Sequence, residues 1–520
     1  NEKFVAPSTS IIENADLKWN ELLRADVTPD YVVNRIAFKQ LHLSMIADGF
    51  QTVYIKYDTD IVVCTEYENG KYQIKSLSPN ISEDEQKAAV KTLERLISVP
   101  SYNQPAEEGA PFGKGIRNAL DEMMKICDEL SFKTYEDPDG YYGYAEVGSG
   151  DKIFGVICHL DTVPAGDLGK WKHNPFKGTV INDAVYGRGS QDDKGPGIAA
   201  LYAVKALMDQ GYHFNQRIRF IYGTDEEILW RGIAEYNKKE APIDSGISPD
   251  AEFPLIYAEK GLQQSYLVGP GTDQLKLNLK NAFNAVPDSA VYDGPKQDEV
   301  KVALDKHGFE YTSDDNSITV IGKSVHAMMA PKGTNAVLRL AIALDDVFDF
   351  KPLDFIGKLF KEGATGSNVL GDVRDESGQL TFNISSLEIN ENETRMQIDL
   401  RIPVTVDRDN LLAKLSKQVA AYDLNYVHFD YLAPLYVPKD SKLVRTLMKV
   451  YKEQTGDVDA EPQISGGATF ARTMNNCVAF GGMLPTTPDY MHQANEQWPL
   501  SDMYKAMEIY AQAIKKLCVD

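Results

Sequence analysis

Thiols are scarce in this chain. Among its 520 residues there are five cysteines, Cys64, Cys127, Cys158, Cys477 and Cys518, with no CxxC spacing and one necessarily left over. That pattern excludes a disulfide framework and a zinc-finger set, and it suits a reducing, cytoplasmic compartment. No run of 18 apolar residues occurs, so no segment reads as a membrane span. Clusters of Lys and Arg are missing as well: 54 basic residues stand against 76 acidic ones, for a formal net charge of -22. Without a basic patch no nucleic-acid partner is expected, and the negative charge argues for solubility rather than for a particular partner. The chain opens on Asn1 with no signal-peptide-like apolar segment, so its natural start is expected upstream. Internal repeats, low-complexity tracts, a Walker phosphate loop and a dinucleotide fingerprint are all absent.

What is present has the organisation of several domains, about three by length. Residues 1–82 read as a small α/β unit: a helix from Thr28-Pro29 to Ala47, then β-rich runs at Gln51–Tyr57, Asp60–Tyr67 and Lys71–Leu77, the last two joined by a Glu68-Asn69-Gly70 turn. No chemistry-bearing cluster falls there. Ser82 and Glu85 form a capping box that opens a helix carrying Val90, Leu93, Leu96 and Ile97 on one face. Strands at Ile153–Cys158 and Ile218–Gly223 flank a helix at Gly197–Gln210, an α/β alternation. The stretch 265–432 mixes strands with amphipathic helices at Asn335–Val347 and Asn410–Tyr422, as an α+β domain does.

Side chains with chemistry gather at the predicted strand ends. His159 and Asp161 leave Ile153–Cys158 on one side of the strand, where one can ligate a metal and the other orient it; taken alone, a solvated turn is the competing reading. Gly187-Arg188-Gly189-Ser190-Gln191-Asp192-Asp193-Lys194-Gly195 is rich in glycine before a helix, but its paired aspartates would repel phosphate, so a carboxylate offered to a cation explains it better. A plain helix-capping turn explains it equally well. Thr224-Asp225-Glu226-Glu227 sets three acids at the end of a buried strand, where they need a positive counterpart. An acidic helix start is the competing reading. Asp250 precedes another strand and His492 lies near the C-terminus. Oxygen and imidazole donors without thiolate suit zinc, manganese or cobalt, and five of them exceed what one catalytic zinc usually takes.

These motifs, His159-x-Asp161, Gly187-x-Gly189-x-x-Asp192-x-Lys194-Gly195, Asp225-Glu226-Glu227, Ser248-Pro249-Asp250 and the late His492, resemble in order and spacing the aminoacylase/glutamate-carboxypeptidase superfamily of di-zinc metallohydrolases. The wording of 223–227 and 248–254 is most similar to its bacterial PepV-type dipeptidases. The resemblance covers 83–520. It implies an α/β catalytic domain of the di-zinc exopeptidase type (83–264 and 433–520), an inserted α+β lid (265–432) and an extra N-terminal α/β extension (1–82). The implied activity is metal-dependent hydrolysis of dipeptides by a di-zinc-activated water. Two Zn2+, with Mn2+ or Co2+ as alternatives, would be held by His159, Asp192, Glu227, Asp250 and His492, with Asp192 bridging. Glu226 would be the general base and Asp161 the orienter of His159. His326 would polarise the scissile carbonyl, Arg401 would hold the substrate carboxylate, and Asn284, Gly466 and Gly467 would contact the substrate. The resemblance also implies a cis peptide between Asp192 and Asp193, and a monomer whose enlarged lid supplies His326 within one chain, a dimer being the alternative.

One departure from the family pattern bears on substrate fit: bulky Ile228-Leu229 follows the glutamate pair where small residues are usual. The same ligand set would also serve a deacylase of N-acyl amino acids or succinyl-diamines. Paired carboxylates alone would allow a glycosidase, which needs no histidine ligands. A metal-free binding protein on a retired hydrolase fold is a further alternative. The other histidines, His42, His173, His213, His307 and His428, match no motif and read as structural or surface residues.

Overall fold

The computed structural model describes residues 81–519 and, before them, four strands, His42–Ser44, Thr52–Tyr57, Asp60–Tyr67 and Lys71–Ser76. Those four form an antiparallel sheet in sequence order, with Tyr67 opposite Lys71. The expected helix up to Ala47 lies mostly outside the described residues. Its segment His42–Ser44 is a strand instead, because it pairs with Thr52–Tyr57, Leu43 opposite Ile55. Cross-strand pairing overrides a local helical pattern there.

The chain divides into two compact units: residues 1–229, 446–460 and 481–520 in the first, 230–445 and 461–480 in the second. After the four strands above, the first continues with the helix Glu83–Ile97. Ser82 Oγ accepts from the Glu85 amide at 3.2 Å and the Glu85 carboxylate accepts from the Ser82 amide at 2.7 Å, closing the capping box. Ala89, Val90, Leu93, Leu96 and Ile97 are its buried face. The central strand, Arg217–Gly223, runs parallel to Ile153–His159 and antiparallel to Tyr142–Val147, which in turn pairs with Lys133–Glu136. Every residue of Ile153–His159 is buried, as a strand covered on both faces requires. Helices Lys194–Asp209 and Leu500–Cys518 pack together, and both are largely buried, with Leu201, Ala206, Tyr510 and Ile514 among their buried residues. A smaller sheet joins Gln497–Pro499 to Ala184–Tyr186 and Thr179–Ile181.

The second unit holds a five-stranded antiparallel sheet in the order Leu277–Leu279, Thr381–Ile389, Glu393–Ile402, Gly261–Pro270 and Asn425–Leu432. Helices Ala336–Asp345 and Arg408–Ala420 bury their apolar residues in one continuous core that runs from Leu267 to Leu424. Ser245–Ser248, Cys477–Ala479, Ile256–Glu259, Gln463–Ser465 and Leu435–Tyr436 form a separate mixed set of strands in this unit.

The helix Ala336–Asp345 ends on a carboxyl that cannot ionise cheaply. Burial, and then the neighbouring Asp354 carboxylate, raise Asp345 to about 7, while Asp354 stays low. The unfolded value is near 4. The folded protein therefore binds a proton that the unfolded chain has lost between about pH 4 and 7, and stability falls as pH rises through that window. Asp345→Asn keeps a donor toward Asp354 without a charge to bury. It should raise the apparent melting temperature at pH 8, by about 2–4 °C, and leave it unchanged near pH 4. A melting temperature unaltered at both pH values would remove the shared proton.

Candidate active site

Adjacent parallel strands end together, and this sets the site. Gly223 lies opposite His159, so the turn Thr224–Glu227 and the His159–Asp161 segment leave the sheet side by side. Asp161 Oδ2 accepts from the Glu227 amide at 3.1 Å and ties the two exits together. His159 Nδ1 meets the Asp161 main-chain oxygen at 2.9 Å, with the carboxylate Oδ1 at 3.5 Å. The bond that fixes the ring is thus to Asp161's carbonyl, while its carboxylate serves the Glu227 turn.

Asp192 comes from the glycine-rich loop before the helix Lys194–Asp209. Its peptide to Asp193 is cis, as the resemblance implies. The loop folds tightly on itself: Gly189 has φ +91°, and the Gly195 amide donates to the Gly189 carbonyl at 3.1 Å. Asp192 Oδ1 lies 3.0 Å from His159 Nε2, and Oδ2 lies 2.9 Å from His492 Nε2. His492 Nε2 is also 3.1 Å from Glu227 Oε1. Glu226 Oε2 stands 3.9 Å from His159 Nε2.

Among the described residues of this unit, two sets of ligand atoms lie close enough to share a cation: those of His159, Glu226 and Glu227, and those of Asp192, Glu227 and His492. The donors are carboxylate oxygens and imidazole nitrogens only, which fits zinc, manganese or cobalt. The electrostatics point the same way. Burial and then Asp192 push Glu227 up to about 7. His492, held by Asp192 and then Glu227, rises to about 10. Burial raises Asp192, but hydrogen bonds from the two histidines outweigh it and hold the carboxyl well below the usual range. Carboxylates packed this closely call for positive charge, which a proton on His492 supplies in part and divalent ions would supply more fully.

The remaining candidates lie in the second unit. Asp250 sits between the strands Ser245–Ser248 and Ala251–Glu252. His326 caps the 3-10 turn Ala327–Lys332, its Nδ1 accepting from the Met328 amide at 3.1 Å. Asn284 reaches the same turn through its carbonyl, which accepts from the Ala327 amide at 2.8 Å. Desolvation and then the Arg401 charge lower the His326 pKa. The ring is therefore neutral at neutral pH, and because Nδ1 accepts, the proton resides on Nε2.

Arg401 is less open than a lone binding arginine. Nε and Nη2 meet the Asp399 carboxylate at 2.7 and 3.1 Å, and Nη1 donates to the Gly466 carbonyl at 2.9 Å. Beside it, buried Arg472 bonds Glu259 at 3.0 Å and the Gly467 carbonyl at 2.8 Å, so two arginines support the 465–468 loop. Sequence alone assigns no role to Glu259 or Arg472, nor to Gln191 and Glu496, which only fall within or beside the motifs quoted above. Glu496 carries a legible signal, four positions after His492 in one polar run. Glu259 has only its acidity at the end of an apolar strand. Ile228 and Leu229 are exposed.

Residues 155–516 match the sequence profile of Peptidase family M20/M25/M40. The chain belongs to that family. It is a metallopeptidase, with the family's α/β catalytic domain and lid domain. A protein of Staphylococcus haemolyticus named "Putative dipeptidase SH1171" is 34% identical over 465 residues, covering 82% of this chain and 96% of the relative. Among solved structures, the M20 family metallo-carboxypeptidase Sso-CP2 of Sulfolobus solfataricus superposes with a TM-score of 0.52 at 21% identity, covering 82% of this chain and 98% of its own. Human carnosine dipeptidase 1 gives 0.52 at 15% identity, covering 83% and 96%. These two structures share the fold. No helix among the described residues is long and apolar enough to cross a membrane.

The close return of the Asp192 loop gives a direct test. A Cβ on Gly195 would lie 1.9 Å from the Ser190 carbonyl oxygen and 2.9 Å from Trp498 Cε3. Gly195→Ala should therefore cost about 1–3 kcal/mol in denaturant unfolding, although alanine is otherwise the better helix former. A neutral or stabilising result would contradict the packing described.

Proposed function

We propose that this metallopeptidase hydrolyses dipeptides at a two-metal centre. The single observation that carries the reading is the Asp192 carboxylate, whose two oxygens face two different imidazoles, His159 at 3.0 Å and His492 at 2.9 Å. A carboxylate so placed suits a bridge between two cations. His159, Asp192, Glu227, Asp250 and His492 are the proposed ligands, for zinc by preference. When bound, such ions supply Lewis acidity and make water a stronger acid.

The protein's own groups divide the remaining work. Glu226 takes a proton on its carboxylate from the attacking water and passes it to the departing amine, as a general base and then acid. His326, neutral with its proton on Nε2, donates to the scissile carbonyl oxygen and stabilises charge developing there. Arg401 binds the terminal carboxylate of the substrate. Asp399 takes one N–H each from Nε and Nη2, and the Gly466 carbonyl takes one from Nη1, so the substrate meets the second N–H of Nη1 and of Nη2. Asn284, Gly466 and Gly467 hold the substrate main chain, and Asp161 orients His159 and the Glu227 turn together. The catalytic domain is assigned to 83–264 and 433–520 and the lid to 265–432, in a chain that acts as a monomer. The N-terminal residues 1–82 form an extension. Dipeptides are favoured because the S. haemolyticus relative, similar along most of both chains, is named as one of their hydrolases.

Glu226→Gln should lower kcat by about 10²–10⁴-fold with the metal content unchanged, measured by elemental analysis beside the assay. A wild-type rate would remove Glu226 as the base. Exhaustive chelation should abolish hydrolysis, with Zn2+, Mn2+ or Co2+ restoring it. Faster cleavage of an N-acetyl amino acid than of a free dipeptide would move the assignment to a deacylase.

A further inference from the structure

The loop 187–193, which carries Asp192, and the segment 488–497, which carries His492, are stitched together by side chains that take no part in the chemistry above. Glu496, fully buried, accepts four hydrogen bonds from the Asp192 loop. Oε1 receives the Gln191 amide at 3.0 Å and the Asp192 amide at 3.2 Å; Oε2 receives the Gly189 amide at 3.1 Å and Arg188 Nη1 at 2.8 Å. Gln191, also fully buried, returns the tie. Its Nε2 donates to the Pro488 and Gln497 carbonyls, both at 2.8 Å, and its Oε1 accepts from the Tyr490 amide at 2.9 Å. These partners bracket His492 on both sides. The Gly187 amide donates to the Glu496 carbonyl at 2.9 Å, and Gln497 pairs with Tyr186 in the adjoining small sheet.

We infer that Glu496 and Gln191 are positioning residues that fix the Asp192 carboxylate and the His492 imidazole at the separation a shared divalent cation needs, a reading that rests on the two-metal centre proposed above. The chemistry of the donor and acceptor atoms makes this specific. Glu496 presents four acceptor directions to four donors, and only a carboxylate can do so. In Glu496→Gln the amide nitrogen must face either the Gln191 and Asp192 amides or the Gly189 amide and Arg188. In both orientations donors meet donors, directly beside the ligand. Gln191 needs an acceptor and two donors at once, which neither Glu nor Met provides. Groups that orient ligands from behind typically change metal affinity by about 10–100-fold when removed.

Cobalt is the probe, because its visible absorption reports ligand geometry apart from turnover. Co2+ titrations of the metal-free full chain should give at least about tenfold weaker binding and an altered spectrum for Glu496→Gln and for Gln191→Met. Met123→Ala serves as the comparison. It removes a buried side chain from the helix Lys114–Glu129, remote from this loop in sequence, and should lower the melting temperature while leaving Co2+ affinity and spectrum as in the wild type. Wild-type Co2+ affinity and spectrum in both loop variants would overturn the inference. Should Glu496→Gln fail to fold, Gln191→Met decides alone by the same two readouts. A wild-type protein that binds no Co2+ would instead defeat the metal centre itself.

Discussion

One carboxylate between two imidazoles is the constraint on which the first unit is arranged. Asp192 can face His159 and His492 together only if a strand end, a glycine-rich loop and a segment some 300 positions later converge to within a hydrogen-bond length. Each is held by its own device. The parallel register of Gly223 against His159 aligns the strand ends. Asp161 links the His159 exit to the Glu227 turn, and the backbone at Gly189 adopts a φ that a residue with a Cβ rarely tolerates. The result concentrates negative charge in a buried place, and that is tolerable only with compensating positive charge at hand.

The second unit solves the opposite problem. It buries two guanidinium groups near each other, Arg401 and Arg472, and gives each a carboxylate, Asp399 and Glu259. Neither cation is left unpaired in the interior. Their spare N–H groups turn to the carbonyls of Gly466 and Gly467, so the loop is shaped by arginines that the protein has already neutralised. The guanidinium of Arg401 thus presents directed N–H donors more than net charge to whatever approaches it.

Much of this was legible because it is local. The capping box at Ser82 and Glu85, the strand leading to His159 and the apolar strand before Glu226 are written in adjacent residues, and their elements end within a few positions of where the pattern places them. His159, Glu226 and Glu227 stood out because acids and imidazoles at strand ends need a reason to be there, whereas Asp192 in its glycine-rich loop and the late His492 drew their roles from the family resemblance. What stayed hidden depends on partners far along the chain. Glu496 has its nearness to His492 as a signal, but what it holds shows only when Gly189 and Gln191 are brought to it. Glu259 and Arg472 are 213 positions apart. The strand at His42–Ser44 was misread for the same reason, since its identity comes from the neighbour it pairs with.

The short distance from His492 to Glu496 along the chain has a consequence for how this protein can vary. One end of that stretch reaches Asp192's side chain and the other reaches Asp192's own amide, so the four-residue interval works as a ruler between two grips on a single residue. Gln493, which is exposed, can change its side chain in a way that the interval cannot change its length. Substitution there alters a surface, whereas insertion or deletion alters a length. Natural variants of this chain should accordingly tolerate gaps elsewhere in its C-terminal loops long before they tolerate one here.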